Sequence, residues 1–441
     1  FLQYAENHRA GPKAARQKAT LAIFPELGIS AYSNEDLFHQ DALLKSVEGA
    51  LAAIKKASSK INLVWAVGAP LRVDCRLFNC AVVFYRGKIL GIAAKSYLPN
   101  YREYYEGRQF SPASQALATT VSLAGQKDIP FGANLIFQAA NINNLRLFFE
   151  ICEDLWVPVP PSSFAAMAGA TVIGNLSASN ITVGKSDYRH QLIANQSARC
   201  VAAYLYADAG FGESTTDLAW DGHAMIYENG NPLSESERFS TSAQMITADI
   251  DLGRLAQDRM RLTTFGPNAE DHKEKIKVFR TIEFEAECPR GRILPDRDIP
   301  RFPYIPADPA KRDQRCYEAY NIQVQGLAQR LKSSGIPNLV IGVSGGLDST
   351  HALIVAARTM DLLGLPRTRI KAFTMPAFGT SGKTYRNALR LMKALGVEAN
   401  EVDIKPACLQ MLKDIDHPFA RGKKVYDIAF ENVQAGQRSA H

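Results

Sequence analysis

Residues 338–350 have the sequence Asn-Leu-Val-Ile-Gly-Val-Ser-Gly-Gly-Leu-Asp-Ser-Thr, and the fold of this part of the chain can be predicted from them. Residues 339–343 form a short apolar run rich in β-branched side chains, which indicates a buried strand. Gly345 and Gly346 interrupt that run, and a helical pattern follows over residues 349–360. A strand, a glycine turn and a helix N-terminus bring several backbone N–H groups to one point, and such a point can bind phosphate.

The same loop carries side chains suited to a nucleotide and a metal ion. Ser344 and Ser349 offer hydroxyl donors, and Asp348 is placed where a carboxylate could hold Mg²⁺ against phosphates. No Gly-Lys-Ser/Thr follows, so this is not a Walker A loop. It resembles the pyrophosphate loop of the ATP pyrophosphatases, which split ATP into AMP and pyrophosphate to adenylate a substrate. The alternative is an ordinary strand-to-helix turn with two glycines, which the length of the motif disfavours.

The composition limits the class of protein. The chain has 441 residues, 46% of them hydrophobic and 22% charged, which suggests two or three globular domains. No run approaches the roughly 18 apolar residues of a membrane span, and the first residues do not resemble a signal peptide. Seven scattered cysteines predict reduced thiols in the cytoplasm, without a disulfide or zinc framework. The mild net charge of +7 is compatible with nucleic-acid binding but does not require it, since small anionic ligands explain the charge equally well; we expect no nucleic-acid partner.

The order of strand and helix signals predicts two α/β domains with a linker between them. In residues 1–285, strands are predicted at 21–24, 61–69, 80–85, 89–94, 145–151, 171–176 and 201–208. Helices are predicted there at 41–58, 161–169 and 186–200, which makes a layered α/β domain. Six prolines in residues 286–311 indicate a linker. Residues 312–441 show a parallel, doubly wound pattern, with helices at 312–334 and 383–395 and further strands at 370–375 and 398–404.

Three reactive side chains follow strands of the first domain. Glu26 comes after the first strand, Lys95 after residues 89–94, and Cys152 after residues 145–151. Loops at strand ends are where open α/β sheets carry their sites. A thiol needs a base to become a nucleophile, and the oxyanion formed on a carbonyl needs a cation facing it. Taken singly, a cysteine is more often a small buried side chain, and a lysine or a glutamate at a strand end is more often a solvated charge. The evidence for a site is therefore the combination of the three residues.

Together these residues resemble the Glu-Lys-Cys triad of the nitrilase superfamily of C–N hydrolases. The resemblance covers nearly all of residues 1–285 and implies a nitrilase-like α-β-β-α sandwich. It implies that Glu26 is the general base, that Lys95 stabilises the oxyanion, and that Cys152 forms a thioester. It also implies that Glu106 helps to place Lys95 and the substrate, although Glu103 is nearby in the sequence.

The pairing of this domain with the phosphate loop resembles the glutamine-dependent NAD synthetases. The strings that carry the resemblance are Ser-Tyr-Leu-Pro at 96–99, Asn-Leu-Ser-Ala-Ser at 175–179, Gly-Glu-Ser-Thr-Thr-Asp at 212–217, Cys-Tyr-Glu-Ala-Tyr at 316–320 and Phe-Glu-Asn-Val-Gln-Ala at 430–435. The resemblance implies that Tyr101, Ser179 and Lys185 contact glutamine and that Asn432 touches deamido-NAD. It implies an ATP site formed by Gly342, Val343, Ser344, Gly345, Gly346, Leu347, Asp348 and Ser349.

The resemblance further implies a two-part reaction. ATP, with Mg²⁺ on Asp348, would adenylate the nicotinate carboxylate of deamido-NAD. Ammonia released from glutamine at Cys152 would then displace AMP and form the amide. The products would be NAD, AMP, pyrophosphate and glutamate. The family passes ammonia through an internal tunnel in a large homo-oligomer, an octamer, and no organic prosthetic group is implied.

The chain departs from the family pattern at both ends. Family members continue for a large further segment beyond the position of His441, and they have a strand before the helix that leads to Leu21. We therefore expect the second, Rossmann-like domain to be incomplete. We also expect the chain alone to hydrolyse glutamine weakly, if at all, and to make no NAD.

Two other functions remain open at this point. One is another amidotransferase with the same ATP loop, making guanylate or asparagine, but such enzymes usually carry a Cys-His-Glu triad or an N-terminal cysteine. The other is a stand-alone amidase or nitrilase with a regulatory nucleotide-binding module. His223 is interpreted as a structural or surface histidine, because the triad needs no imidazole.

Overall fold

The computed structural model describes residues 12–15, 18–215, 218–287, 295, 297, 299, 301–302, 304–306 and 308–440. The chain forms two compact units, residues 1–298 and 299–441. The first eleven residues of the predicted 1–285 domain and much of the predicted 286–311 linker lie outside the described residues. The domain boundaries at 285 and 312 stay predictions.

Two β-sheets form the centre of the first unit. Their strand orders are β1-β2-β3-β4-β6-β5 and β12-β11-β10-β9-β8-β7-β13. The strands are β1 (Leu21–Ile23), β2 (Val64–Val73), β3 (Arg76–Tyr85), β4 (Lys88–Ala94), β5 (Thr120–Leu123), β6 (Gln126–Gly132), β7 (Leu135–Ala139), β8 (Arg146–Ile151), β9 (Val172–Leu176), β10 (Ala203–Ala207), β11 (Met225–Glu228), β12 (Asn231–Glu235) and β13 (Arg280–Phe284).

Helices pack around the two sheets. They are α1 (Asp41–Ser58), α2 (Pro161–Met167), α3 (Lys185–Cys200), α4 (Leu252–Arg261), α5 (Phe265–Asp271) and α6 (Lys273–Ile276). Short 3-10 turns lie at Glu35–His39, Glu106–Arg108, Ala113–Gln115 and Cys152–Leu155.

The alternation of side chains along the strands explains the layers. In β2, Trp65 packs into the core formed with Leu51 of α1, whereas its neighbour Val64 packs into the core shared with Phe137 of the second sheet. Adjacent residues of a strand point to opposite faces, so one apolar strand serves two cores.

The second sheet is built in the same way. Phe149 of β8 lies in the core between the sheets, and Phe148 lies in the outer core with Ile193 of α3. The first unit therefore has helix, sheet, sheet and helix layers, and the predicted α-β-β-α sandwich is confirmed.

A parallel sheet of three strands organises the second unit. The strands β14 (Leu339–Gly342), β15 (Ile370–Thr374) and β16 (Glu398–Glu401) pair in that order. The helices are α7 (Pro309–Ser334), α8 (Leu347–Leu362), α9 (Gly382–Leu395), α10 (Lys405–Asp414) and α11 (Ile428–Ala440). These elements confirm the prediction of a second, parallel-sheet domain. In the described part of the chain, no helix is both long enough and apolar enough to cross a bilayer.

The predicted elements are all present, and their ends differ by a few residues. The strand predicted at 61–69 lies at Val64–Val73, and the one at 398–404 ends at Glu401. Helix α8 begins at Leu347, two residues before its predicted start, because the extended Gly346 caps it. The strands β5, β6, β7, β11, β12 and β13 were not predicted. Strand β12, for example, has five residues and is not buried, so its apolar pattern is weak.

Gly68 allows the loop after β1 to pack directly on β2. A Cβ atom at Gly68 would lie 2.3 Å from the backbone nitrogen of Leu27 and 2.6 Å from the carbonyl oxygen of Pro25. Both atoms belong to the backbone on either side of Glu26, so they cannot move without shifting that residue.

We predict that Gly68→Ala destabilises the first unit by roughly 1–3 kcal/mol, the usual cost of overpacking. Calorimetry should show a lower unfolding temperature than in the parent chain. Gly49→Ala in α1 is the matched control, because a Cβ there meets nothing within 4 Å and alanine favours a helix. Equal unfolding temperatures in the two variants would contradict the prediction.

Candidate active site

A buried lysine connects two buried carboxylates. The Lys95 Nζ atom lies 2.6 Å from Glu26 Oε1 and 2.8 Å from both carboxylate oxygens of Glu106. Lys95 and Glu26 are at most 1% exposed, and Glu106 is 5% exposed. Charged groups are rarely buried to this extent unless they are paired. The structure thus brings together three of the four predicted catalytic residues by direct contact.

Further donors hold the two carboxylates in place. The Asn79 side-chain amide donates to Glu26 Oε1 at 2.7 Å, and the Ala178 backbone N–H donates to Glu26 Oε2 at 2.9 Å. The Tyr32 hydroxyl donates to Glu106 Oε1 at 2.7 Å. Glu103 instead accepts a hydrogen bond from Asn180. Of the two nearby glutamates, Glu106 is therefore the one that contacts Lys95.

Cys152 begins the turn that follows β8. Its backbone has a φ of +42°, in the left-handed region that side chains other than glycine seldom adopt. Its N–H donates to Asn175 Oδ1 at 3.2 Å. The sulfur is buried within electrostatic range of Glu26 and Lys95, and it contacts the hydroxyl of Ser177. The fourth predicted catalytic residue therefore belongs to the same buried group.

Asp154 connects the lysine loop to the cysteine turn. Its carboxylate accepts N–H groups from Ser96 at 3.1 Å, from Tyr97 at 2.9 Å and from Ile151 at 3.0 Å. The first two residues follow Lys95 and the third precedes Cys152. This buried carboxylate therefore fixes the two loops relative to each other.

Burial and nearby charges determine the protonation states of Cys152, Lys95 and Glu106. Burial raises the pKa of the Cys152 thiol well above its usual value, and Glu26 adds to the shift. Burial alone would lower the pKa of Lys95, but Glu106 and Glu26 reverse this effect and raise it well above its usual value. Burial raises the pKa of Glu106 to about 7, against the opposing effect of Lys95. The resting site thus holds a neutral thiol beside a charged ammonium group.

The three residues predicted to contact glutamine lie around this group. The Tyr101 hydroxyl donates to Glu153 at 3.0 Å, and Lys185 Nζ donates to Asn180 at 2.8 Å. Both Tyr101 and Lys185 are within electrostatic range of Cys152. In the described part of the chain, the buried Ser179 hydroxyl has no hydrogen-bond partner. Such a group is available to a ligand.

Ser179 is held through its backbone by a buried ionic network. Its N–H donates to Asp208 Oδ1 at 2.7 Å, and its carbonyl accepts from the Arg189 guanidinium. Arg189 is also paired with Asp221 at 2.8 Å. This network fixes the loop after β9 against α3, the helix that begins with Lys185.

A small cavity of about 70 Å³ reaches Glu106, one of the two carboxylates that pair with Lys95. Tyr32, Tyr104 and Glu106 contribute to its wall, together with Glu103 and Leu218. A second depression shares Glu103 and Leu218 with it and continues towards Asn180. These hollows offer a route from the surface to Glu106.

In the second unit, the predicted phosphate loop joins β14 to the N-terminus of α8. The Ser344 and Ser349 hydroxyls lie 3.0 Å apart, and the Gly346 N–H donates to Ser344 Oγ at 3.2 Å. Ser344, Gly346 and Asp348 are exposed. Val343 is buried, and its N–H donates to the Phe373 carbonyl at 2.7 Å. The loop is therefore anchored at one end and open at the other.

The remaining predicted nucleotide residues have different surroundings. Gly345 has a φ of +78°, and a Cβ there would lie 2.0 Å from the Thr384 carbonyl of α9. Leu347 is 83% exposed. Asn432 is exposed on α11. The close packing of α9 against Gly345 therefore explains why a glycine stands at this position. Leu347 and Asn432 are exposed to solvent.

Several residues of the buried group were missed by the sequence analysis. Asn79 interrupts the apolar run of β3, which is a signal that could have been used. Asn175 and Ser177 lie within the string at 175–179, in which neither was given a role, and Asp154 follows Cys152 by two residues. Arg189 carries no sequence signal, since an arginine on a helix is usually solvated.

Comparison with known proteins agrees with this organisation. The model of the Carbon-nitrogen hydrolase family matches residues 2–260, and that of NAD synthase matches residues 319–441. A glutamine-dependent NAD(+) synthetase of Mycobacterium leprae is 53% identical over 419 residues, which are 95% of this chain and 61% of that protein. One from Aquifex aeolicus is 28% identical over 96% of this chain and 66% of that protein. The chain thus spans about three fifths of the length of the Mycobacterium leprae protein and about two thirds of that of the Aquifex aeolicus protein.

Solved structures include a glutamine-dependent NAD(+) synthetase from Cytophaga hutchinsonii. It is 20% identical, covers 99% of this chain and 68% of that chain, and has a TM-score of 0.49.

We predict that Asp154→Ala lowers kcat for amide hydrolysis roughly 100-fold, because a displacement near 1 Å has that effect in an active site. The substitution also leaves three N–H groups without their acceptor and should cost about 1–3 kcal/mol of stability. Asp74→Ala is the matched control, since Asp74 accepts N–H groups from Leu117 and Ala118 in an exposed loop. If both variants lose stability and neither loses kcat, Asp154 does not position the site.

We predict that Glu106→Gln makes the Cys152 thiol easier to ionise. The carboxylate raises the pKa of Cys152 when it is charged, which is the case above its own pKa of about 7. At about pH 8, iodoacetamide should alkylate Cys152 several-fold faster in the variant, because the rate follows the fraction of thiolate. The difference should fade below about pH 7, where Glu106 is protonated.

The alkylation rate should be measured by mass spectrometry of the Cys152 peptide, because Cys75 and Cys316 are exposed thiols. Glu103→Gln serves as the control, since Glu103 contacts Asn180. Equal rates in the two variants would show that the charge of Glu106 does not act on the thiol.

Proposed function

This chain belongs to the carbon-nitrogen hydrolase family, and from that premise we propose that it acts in a glutamine-dependent NAD(+) synthetase. The first unit hydrolyses glutamine, and the second binds ATP and deamido-NAD so that the released ammonia forms the amide of NAD. The single observation that carries the glutaminase half is the pairing of Lys95 with Glu26 and Glu106 beside Cys152. The match of residues 319–441 to NAD synthase supports the other half.

The first step is attack on the side-chain amide of glutamine. The neutral thiol of Cys152 gives its proton to Glu26 as the sulfur bonds to the amide carbon. Glu26 is suited to this because Asn79 and the Ala178 N–H orient its carboxylate. A base held by such bonds acts without reorganising its surroundings.

Lys95 faces the oxyanion of the tetrahedral adduct. Its ammonium group has three N–H donors, and the two carboxylates can accept two of them. The third donor is then available to the developing negative charge. In a buried site, this contact stabilises the transition state more than it would in bulk solvent.

Collapse of the adduct breaks the carbon–nitrogen bond. Glu26 returns its proton to the leaving nitrogen, so ammonia departs and a thioester on Cys152 remains. Glu26 then takes a proton from water as that water attacks the thioester, and returns the proton to the departing sulfur, so that glutamate and the free thiol are released. The same carboxylate thus serves alternately as base and as acid in each half of the reaction.

Glutamine is placed by the residues around the entrance. Lys185 lies over the ring of Trp156 at 5.2 Å, and burial lowers its pKa. As a cation, it suits the α-carboxylate of the substrate. The unpartnered Ser179 hydroxyl and the Tyr101 hydroxyl supply hydrogen bonds.

ATP is assigned to residues 342–349 of the second unit. The exposed Ser344, Gly346 and first turn of the sixteen-residue α8 fit a phosphate group, since N–H groups at a helix start lack intrahelical partners. The exposed carboxylate of Asp348 in that turn fits Mg²⁺, which prefers oxygen ligands and retains waters and phosphates. Bound there, Mg²⁺ would neutralise the pyrophosphate. Asn432 is assigned to deamido-NAD.

Assembly and location complete the proposal. We infer a homo-oligomer, an octamer by family resemblance, that works in the cytoplasm without nucleic-acid or membrane partners. The described cysteines support a reducing compartment, because all of them are free thiols.

The test is Cys152→Ala in the natural full-length polypeptide. Glutamate release and glutamine-dependent NAD formation should fall at least roughly a thousandfold, the scale of losing a catalytic nucleophile. NAD formation from deamido-NAD, ATP and added ammonium should persist, because the second unit does not need the thiol. Chromatography of NAD, AMP and glutamate measures both activities.

Cys75→Ala is the control, since Cys75 is an exposed thiol outside the site. Loss of ammonium-dependent NAD formation together with amide hydrolysis would favour the stand-alone amidase. Unchanged glutamine hydrolysis in Cys152→Ala would overturn the assignment of the nucleophile.

A further inference from the structure

Two histidines and a glutamate form a cluster separate from the residues assigned above. His190 lies in α3, His223 lies just before β11, and Glu235 ends β12. One donor atom from each side chain lies within 4.8 Å of the other two. The three residues come from separate elements, so the fold alone brings them together.

The distances from the two imidazoles to Glu235 are close to those between ligands of a single metal ion, and the ligand atoms of the two histidines lie within 4.8 Å of each other. His190 Nε2 lies 3.2 Å and His223 Nε2 lies 2.8 Å from the same oxygen, Glu235 Oε1. Zinc bonds of about 2.0–2.1 Å in a tetrahedron place ligand atoms roughly 3.3 Å apart. The first contact already fits, and the second must lengthen by about half an ångström. Glu235 is 44% exposed and can make that movement.

The surroundings of the cluster also suit a metal ion. His190 Nδ1 lies 2.6 Å from the Tyr227 hydroxyl, and a hydrogen bond to the second ring nitrogen commonly orients a metal-bound histidine. The ring of His223 is fully buried, whereas His190 is 31% exposed. One side of the cluster is thus rigid, and the other is open to an ion and to water.

We propose that His190, His223 and Glu235 bind a divalent transition metal ion, with Zn²⁺ the ion that best fits two imidazoles and a carboxylate. Zinc with three protein ligands keeps a fourth position for water. Magnesium and calcium are poorer candidates, because they prefer ligands that are all oxygen.

The bound ion would stabilise the loop that carries Ser179. His190 follows Arg189, which donates to the Ser179 carbonyl. His223 follows Asp221 by two residues, and Asp221 pairs with Arg189 at 2.8 Å. A metal ion that links α3 to the β11–β12 hairpin would therefore tighten the ionic network behind the glutamine-binding residues.

The experiment is zinc titration of the chelator-treated full chain, followed by calorimetry of binding and of unfolding. We expect one Zn²⁺ at this cluster and a higher unfolding temperature of the first unit. His190→Ala and Glu235→Gln should each weaken this binding at least roughly tenfold. His39→Ala is the matched control, because His39 is an exposed histidine outside the cluster.

Cobalt provides a second measurement that does not depend on unfolding. Co²⁺ at the cluster should give visible absorption bands that are present in His39→Ala and lost in His190→Ala. The proposal is wrong if Zn²⁺ does not bind the parent chain, or if both cluster variants bind it as tightly as the control. None of these readouts involves glutamine, so the result is independent of the proposed reaction.

Discussion

The ion-paired ammonium group of Lys95 is the interaction on which the first unit depends. Taking such a group from water into a protein interior costs several kcal/mol unless charges and hydrogen bonds compensate. Glu26 and Glu106 provide the compensation at 2.6 and 2.8 Å. Each carboxylate is itself buried, so loss of Lys95 would leave both of them without their counter-ion. Because the three residues follow different strand ends or lie in a loop, their pairing constrains how those segments meet.

The backbone around this group is arranged to permit the pairing. Gly68 leaves space for the loop of Glu26, and a Cβ there would collide with backbone atoms. Asp154 joins the loop of Lys95 to the turn of Cys152 through three N–H groups. The left-handed conformation at Cys152 is costly in isolation and is maintained by these surroundings. The reactive sulfur is thus positioned by contacts that lie outside the triad.

The second unit shows how far a local pattern can predict structure. The strand, the glycine turn and the helix of residues 338–350 follow from neighbouring residues in the sequence. They form β14 and α8 within two residues of their predicted ends. Gly345 differs, because its close approach to Thr384 involves a helix that lies about 40 residues further along the chain. Its role in packing could not be predicted from the motif.

The sequence by itself determined the two fold classes, most strands and helices, and the identity of Glu26, Lys95 and Cys152 as a set. These features depend on local periodicity and on residue types at strand ends, which are visible along the chain. Only the tertiary structure decided that Glu106, and not Glu103, contacts Lys95, and that Asp154 and Arg189 support the site. It also brought His190, His223 and Glu235 together. Such contacts join residues far apart in sequence, and their geometry depends on how the sheets and helices pack.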